Sequence, residues 1–89
     1  MDTSYTVLVS RAAKKSLEST PGKMRERTIV ALEELRADPH GGSSKLKGRL
    51  KGLYRKRVGN FRVVMRIDDK VRRVFVLSIS DRRESYRKQ

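Results

Sequence analysis

The chain opens on an alternating run. Tyr5, Val7 and Val9 fall on one side of an extended segment and Thr6 and Leu8 on the other, which predicts a short strand. Ser10 suits the N-cap of a helix in which Ala13 and Leu17 share a face. Thr20-Pro21-Gly22 ends that helix. From Lys23 the period lengthens to three and four: Met24, Thr28, Ala31, Leu32 and Leu35 make a stripe. Glu26, Glu33 and Glu34 share the remaining surface with Arg25, Arg27 and Arg36. Asp38-Pro39 closes this second helix, because the residue before a proline is kept out of the helical region. His40 to Ser44 reads as a flexible connector.

The second half runs at period two. Tyr54, Lys56 and Val58 alternate with Arg55 and Arg57, and Gly59-Asn60 supplies a two-residue turn. Phe61, Val63, Met65 and Ile67 alternate with Arg62, Val64 and Arg66; a turn at Asp68-Asp69-Lys70 then leads to Val71, Phe75, Leu77 and Ile79. The predicted architecture is α+β: an N-terminal strand, a two-helix hairpin, a three-stranded antiparallel meander, and a short polar tail or helix from Asp81 to Gln89. The helices pack on one sheet face, and the whole chain, residues 1–89, is a single domain.

Pairing decides which side chains share a face. Across a two-residue hairpin loop, Val58 sits opposite Phe61, Arg57 opposite Arg62 and Arg55 opposite Val64. Arg66 follows on the same side, so Arg55, Arg57, Arg62 and Arg66 stand on the face away from the helices. A three-residue loop from Asp68 to Lys70 puts Phe75, Leu77 and Ile79 in the core and Val74, Val76 and Ser78 beneath the arginines. Lys56 and Arg73 are then core-side blemishes, the first relieved if its strand lies at an edge. Like charges directly opposite one another destabilise a sheet by some tenths of a kcal/mol. A sequence that keeps Arg57 against Arg62 therefore points to an anion between them, since a guanidinium grips phosphate through two parallel hydrogen bonds and stays charged. The competing reading is an outer face that is simply solvated.

Composition sharpens the choice of partner. The 89 residues carry 23 Lys+Arg against 10 Asp+Glu, a net charge of +13. That length fits one domain burying roughly 60–65% of its unfolded surface. The surplus charge attracts polyanions: nucleic acid first, an acidic protein second, an anionic membrane surface third. No run approaches the ~18 apolar residues of a spanning helix, and MDTSYTVLVS lacks the features of a signal peptide. A cytoplasmic location is expected. With no cysteine and a single histidine, His40, neither a disulfide framework nor a metal cluster is expected, and no cofactor. His40 reads as a surface residue, Glu33 and Glu34 point apart on their helix, and Asp68-Asp69 form a turn. Neither a Ser/His triad pattern nor a Gly-rich phosphate loop is present. Lys45, Lys47 and Lys51 read as a general attraction patch, with Lys45, Lys47 and Arg66 as candidate RNA or phosphate contacts.

Several segments, in order, resemble the RelE/ParE superfamily of bacterial and archaeal toxins. They are the opening strand with Tyr5, the helical hairpin closing on Asp38-Pro39, Lys45-Leu46-Lys47-Gly48, the stretch Leu53-Tyr54-Arg55-Lys56-Arg57-Val58-Gly59-Asn60-Phe61-Arg62-Val63-Val64, and Asp81-Arg82-Arg83-Glu84-Ser85-Tyr86. The resemblance implies a small RNase-like fold and the toxin half of a type II toxin–antitoxin system. For the RelE branch it implies metal-independent, ribosome-dependent cleavage of mRNA in the A site by 2′-hydroxyl attack on the adjacent phosphate. Arg55 and Arg57 match the family's basic strand positions, Arg62 its phosphate-binding arginine, and Arg82 and Tyr86 its C-terminal arginine and tyrosine; these five are the implied catalytic residues. The partners implied are an acidic antitoxin forming a hetero-oligomer with the toxin, and the ribosome with its mRNA. Arginine at both strand positions, where many relatives carry a lysine, leaves no general base there. The alternatives within the resemblance are a ParE-like inhibitor of DNA gyrase and a catalytically degenerate basic RNA-binding module.

Overall fold

The computed structural model describes residues 4–81. Along the chain run β1 (Thr6–Val9), α1 (Arg11–Glu18), α2 (Gly22–Ala37), β2 (Ser43–Lys45), a 3-10 turn (Gly48–Leu50), β3 (Tyr54–Val58), β4 (Phe61–Asp68) and β5 (Arg73–Asp81). They form one mixed sheet in the order β1-β5-β4-β3-β2, with β1 parallel to β5 and every other pairing antiparallel. The α+β class and the strand–helix–helix–meander order are as expected, and β2 is an addition. The supposed connector from His40 to Ser44 runs into this strand, which pairs Ser43 with Lys56 and Lys45 with Tyr54. Beyond Asp81 the expected tail lies outside the described residues. Among the described residues no helix is long and apolar enough to cross a membrane.

Local chemistry sets the elements. The Ser10 hydroxyl accepts from the Ala13 amide at 3.0 Å and donates to the Leu77 carbonyl at 2.9 Å, so one side chain caps α1 and ties it to β5. On α2 the stripe Thr28, Ala31, Leu32 and Leu35 is buried. The Thr28 hydroxyl donates to the Met24 carbonyl one turn back, which satisfies it inside the core. That core joins Ala13 and the α2 stripe to Val58, Val63, Met65, Val74, Val76 and Ile79. Gly59 has φ +59°, in keeping with glycine at the first central position of a hairpin turn, and a Cβ there would run into the Met24 methyl.

Two register details correct the expected face assignment of β5. The β4–β5 turn closes with Asp68 opposite Arg73, so it is longer than the expected loop and inverts the alternation. A bulge then takes up Leu77: Val64 pairs with Ser78 while the adjacent Met65 pairs with Val76, and the alternation is restored. Val74 and Val76, expected beneath the arginines, are therefore buried in the core. Phe75, expected in the core, lies on the arginine face, and Leu77 is 40% exposed. Arg73 is exposed and falls on the outer face, so it is no core blemish. Ile79 and Ser78 keep their expected sides. Lys56 does not escape at an edge, because β2 covers its strand. Its ammonium donates to the Gly41 carbonyl at 3.4 Å and lies 4.0 Å from the Glu34 carboxylate.

Candidate functional site

The hairpin β3–β4 builds the basic face. Arg57 pairs with Arg62, and Arg62 in turn with Ser80; Arg55 pairs with Val64, and Val64 with Ser78; Arg66 pairs with Phe75, which lies beside Leu8 of β1. Strand alternation puts all of these on the side away from the helices. Gly42, Ser44, Arg55 and Arg57 line a shallow cleft of about 390 Å³ at the β2 end of that face. Arg62 is half-buried, and its Nε is buried with no hydrogen-bond partner among the described residues. A buried N–H without a partner costs about 1–3 kcal/mol, so its presence marks a position that an added acceptor would satisfy.

Charge is partitioned across the molecule. Arg55, Arg57, Arg62 and Arg66 make no ion pair among the described residues. Carboxylates gather on α2, as Glu26, Glu33 and Glu34, and at the turn of Asp68 and Asp69. Asp68 alone falls on the arginine face among the described residues, at its far end, and its Oδ1 already accepts from the Lys70 and Val71 amides. Among the described residues the face thus supplies fixed cations, serine hydroxyls and an apolar floor with no acid–base pair. Such an array binds phosphate oxygens and stabilises charge that builds on them.

The remaining predicted residues divide. Lys45 pairs with Tyr54, so strand alternation sets it on the opposite face from the arginines. With Lys47 and Lys51 it rings a separate pocket of about 450 Å³ floored by Leu46, Leu53 and Tyr54. Arg82 and Tyr86 lie outside the described residues.

A cluster that the sequence reading passed over surrounds Asp69. The Tyr5 hydroxyl donates to its carboxylate at 2.6 Å, and the His40 Nε2 lies 2.9 Å and 3.1 Å from its two oxygens. The His40 ring meets Tyr54 edge-on at 5.2 Å. The Tyr5 hydrogen bond, followed by that of His40, holds the Asp69 carboxyl below its ordinary value of 3.8. The same hydrogen bond raises the Tyr5 phenol above 10.0. This clasp joins the α2–β2 connector, the start of β1 and the β4–β5 turn. No local signal announces it, because its members are 29 and 64 positions apart.

The five-stranded sheet with two helices on one face matches the fold of small prokaryotic toxins. The toxin–antitoxin complex RelBE2 from Mycobacterium tuberculosis matches with a TM-score of 0.82 at 26% identity, over 89% of this chain and 99% of that one. The archaeal RelE–RelB complex from Pyrococcus horikoshii OT3 matches with a TM-score of 0.73 at 25% identity, over 89% of this chain and 96% of that one. In sequence, Toxin RelE of Mycobacterium tuberculosis is 33% identical over 87 residues, covering 97% of this chain and 90% of the relative. Residues 7–86 match the family described as the ParE toxin of the type II toxin–antitoxin system parDE. The chain belongs to this RelE/ParE family of type II toxins.

Proposed function

We propose that the protein is a ribosome-dependent endoribonuclease that cuts mRNA in the A site and so halts translation. The observation that carries this reading is the arginine face: Arg57 opposite Arg62, Arg55 one row away, and a buried Arg62 Nε with no partner among the described residues. In the reaction a ribose 2′-hydroxyl attacks the adjacent phosphorus, the P–O5′ bond breaks, and the products are a 2′,3′-cyclic phosphate and a 5′-hydroxyl. The attacking hydroxyl loses a proton and the departing oxygen gains one. Guanidiniums do not accept that proton, so Arg55, Arg57 and Arg62 act by stabilising negative charge on the phosphorane oxygens. One well-placed donor of this kind is worth about 3–4 kcal/mol, or 10²–10³ in rate. Arg82 and Tyr86 complete the proposed set on the strength of the family resemblance, Tyr86 stacking on a base or helping to move a proton. The lysine patch supplies attraction toward RNA without a share in the chemistry.

The antitoxin proposed as partner is an acidic chain of the RelB type that folds over the basic toxin. RelB is the partner in the RelE–RelB complex of Pyrococcus horikoshii, and the net charge of +13 favours an acidic occupant. Cytoplasmic action follows from a ribosomal target. Poisoning of DNA gyrase is the second reading, favoured by the ParE description of the matching family. Expression in cells separates the two. Growth arrest with transcripts newly cut inside codons, both relieved by Arg62→Ala, is the expected result. Growth arrest with intact transcripts and a loss of supercoiling contradicts the nuclease reading.

A further inference from the structure

The bulge at Leu77 and the long β4–β5 turn have a joint effect: they deliver Phe75 to the arginine face. There the Arg66 guanidinium sits over the Phe75 ring, 4.9 Å from its centroid. Phe75 is half-buried while Arg66 is exposed, so the ring supports the guanidinium from below and the outer surface of the cation faces solvent. Leu8, 44% exposed, extends the patch from β1. Bulges are used to re-aim side chains beside functional sites. Without this pair of register changes Phe75 would be one more core residue.

We propose that Arg66, backed by Phe75 and flanked by Leu8, is a stacking subsite for one nucleobase of a single-stranded RNA. The proposal rests on the nuclease reading and deepens it. Single-strand binding surfaces combine cations that follow the backbone with flat groups on which bases stack, and a guanidinium plane serves as such a group. Arg62 and Arg66 are four positions apart on one strand face, roughly 13 Å, so a base held at Arg66 lies a few nucleotides from a phosphate held at Arg62. The subsite therefore reads the strand to one side of the bond that is cut. Arg66 alone, as a phosphate contact, needs no ring beneath it. The ring restrains the guanidinium plane, which favours stacking over a mobile ionic contact.

The test uses purified protein without ribosomes and two short fluorescent strands. The first is an RNA with 2′-O-methyl groups throughout, which cannot be cut; the second is an abasic backbone of the same length and charge. Expected is that wild type prefers the strand with bases. Phe75→Leu keeps the apolar bulk and Arg66→Lys keeps the charge, yet each should lower affinity for that strand by roughly 5- to 100-fold. Affinity for the abasic strand should stay within about twofold, with the salt slope unchanged, because no cation is lost. Arg66 is exposed, so its variant tests the subsite even if Phe75→Leu folds poorly. Unchanged binding by both variants, or equal losses on both strands, overturns the subsite while leaving the nuclease reading intact. A wild type that binds neither strand also overturns the subsite, while the nuclease reading, which needs the ribosome, stands or falls separately on cleavage of a ribosome-bound message. If the two variants weaken binding of an acidic peptide and spare RNA, the patch is a protein contact and the subsite is overturned.

Discussion

Arg62→Met should make the protein more stable and less active at once. Arg62 faces Arg57 across the β3–β4 hairpin, and relieving a like-charge cross-strand pair returns a few tenths to about 1 kcal/mol. The buried Nε has no partner among the described residues, and removing an unmet buried donor returns about 1–3 kcal/mol. Methionine retains the length and apolar character of the arginine stem, so little packing is lost. The net expectation is a gain of about 1–3 kcal/mol. In a domain of this size, 1 kcal/mol shifts Tm by roughly 4–8 °C, so a rise of roughly 5–20 °C should appear in a thermal melt followed by circular dichroism. Cleavage should fall by about 10²–10³ under the same change. Inorganic phosphate or pyrophosphate should raise the Tm of wild type more than that of the variant, by accepting from the Arg62 guanidinium and screening it from Arg57. A variant that melts at or below the wild-type temperature, in phosphate-free buffer, refutes the claim that Arg62 is kept at a cost in stability.

Three further outcomes follow from the packing. Ser10→Ala removes both the α1 cap and the bond to the Leu77 carbonyl, and should cost about 1–2 kcal/mol in a urea titration. Gly59→Ala places a methyl in a left-handed conformation and against Met24; a loss of at least about 1 kcal/mol is expected, and an unchanged midpoint would show that the turn rearranges freely. The Asp69 carboxyl is depressed in the folded state, so its contribution is fully present above its unfolded value near 3.8 and is lost as pH falls through the lower folded value. Tyr5 is raised, so its contribution is present below 10.0 and is lost as pH rises through the higher folded value. Asp69→Asn should therefore flatten both the acid and the alkaline limb of the stability profile measured by urea melts. A variant whose limbs keep the wild-type slopes would remove the clasp from the explanation.

The hairpin carrying Arg55, Arg57 and Arg62 was legible because its signals agree. Period-two alternation fixes the faces, and Gly59-Asn60 fixes the loop length, so a single register remains. The α1 cap and the α2 stripe were legible for the same reason. β2 was hidden because Ser43, Ser44 and Lys45 contain no apolar residue, and the strand exists through pairing with β3 alone. The faces of β5 were misassigned because Val74, Phe75, Val76 and Leu77 are all apolar, so alternation carries no information there. Turn length and the bulge each move the register by one, and neither leaves a mark in such a run. The Asp69 clasp depends on contacts between distant segments, which no local pattern encodes. What sequence parity missed on β5 is also what creates the proposed stacking subsite.

The central claim is that the arginine face performs RNA cleavage on the ribosome. The most direct measurement is to add purified protein to ribosomes stalled on a defined message with an empty A site, and to map the ends of the RNA. Expected is one new break within the A-site codon, with a 2′,3′-cyclic phosphate on one fragment and a 5′-hydroxyl on the other, formed about 10²–10³ times more slowly with Arg62→Met and absent from the same RNA without ribosomes. An intact message on ribosomes loaded in this way would contradict the claim.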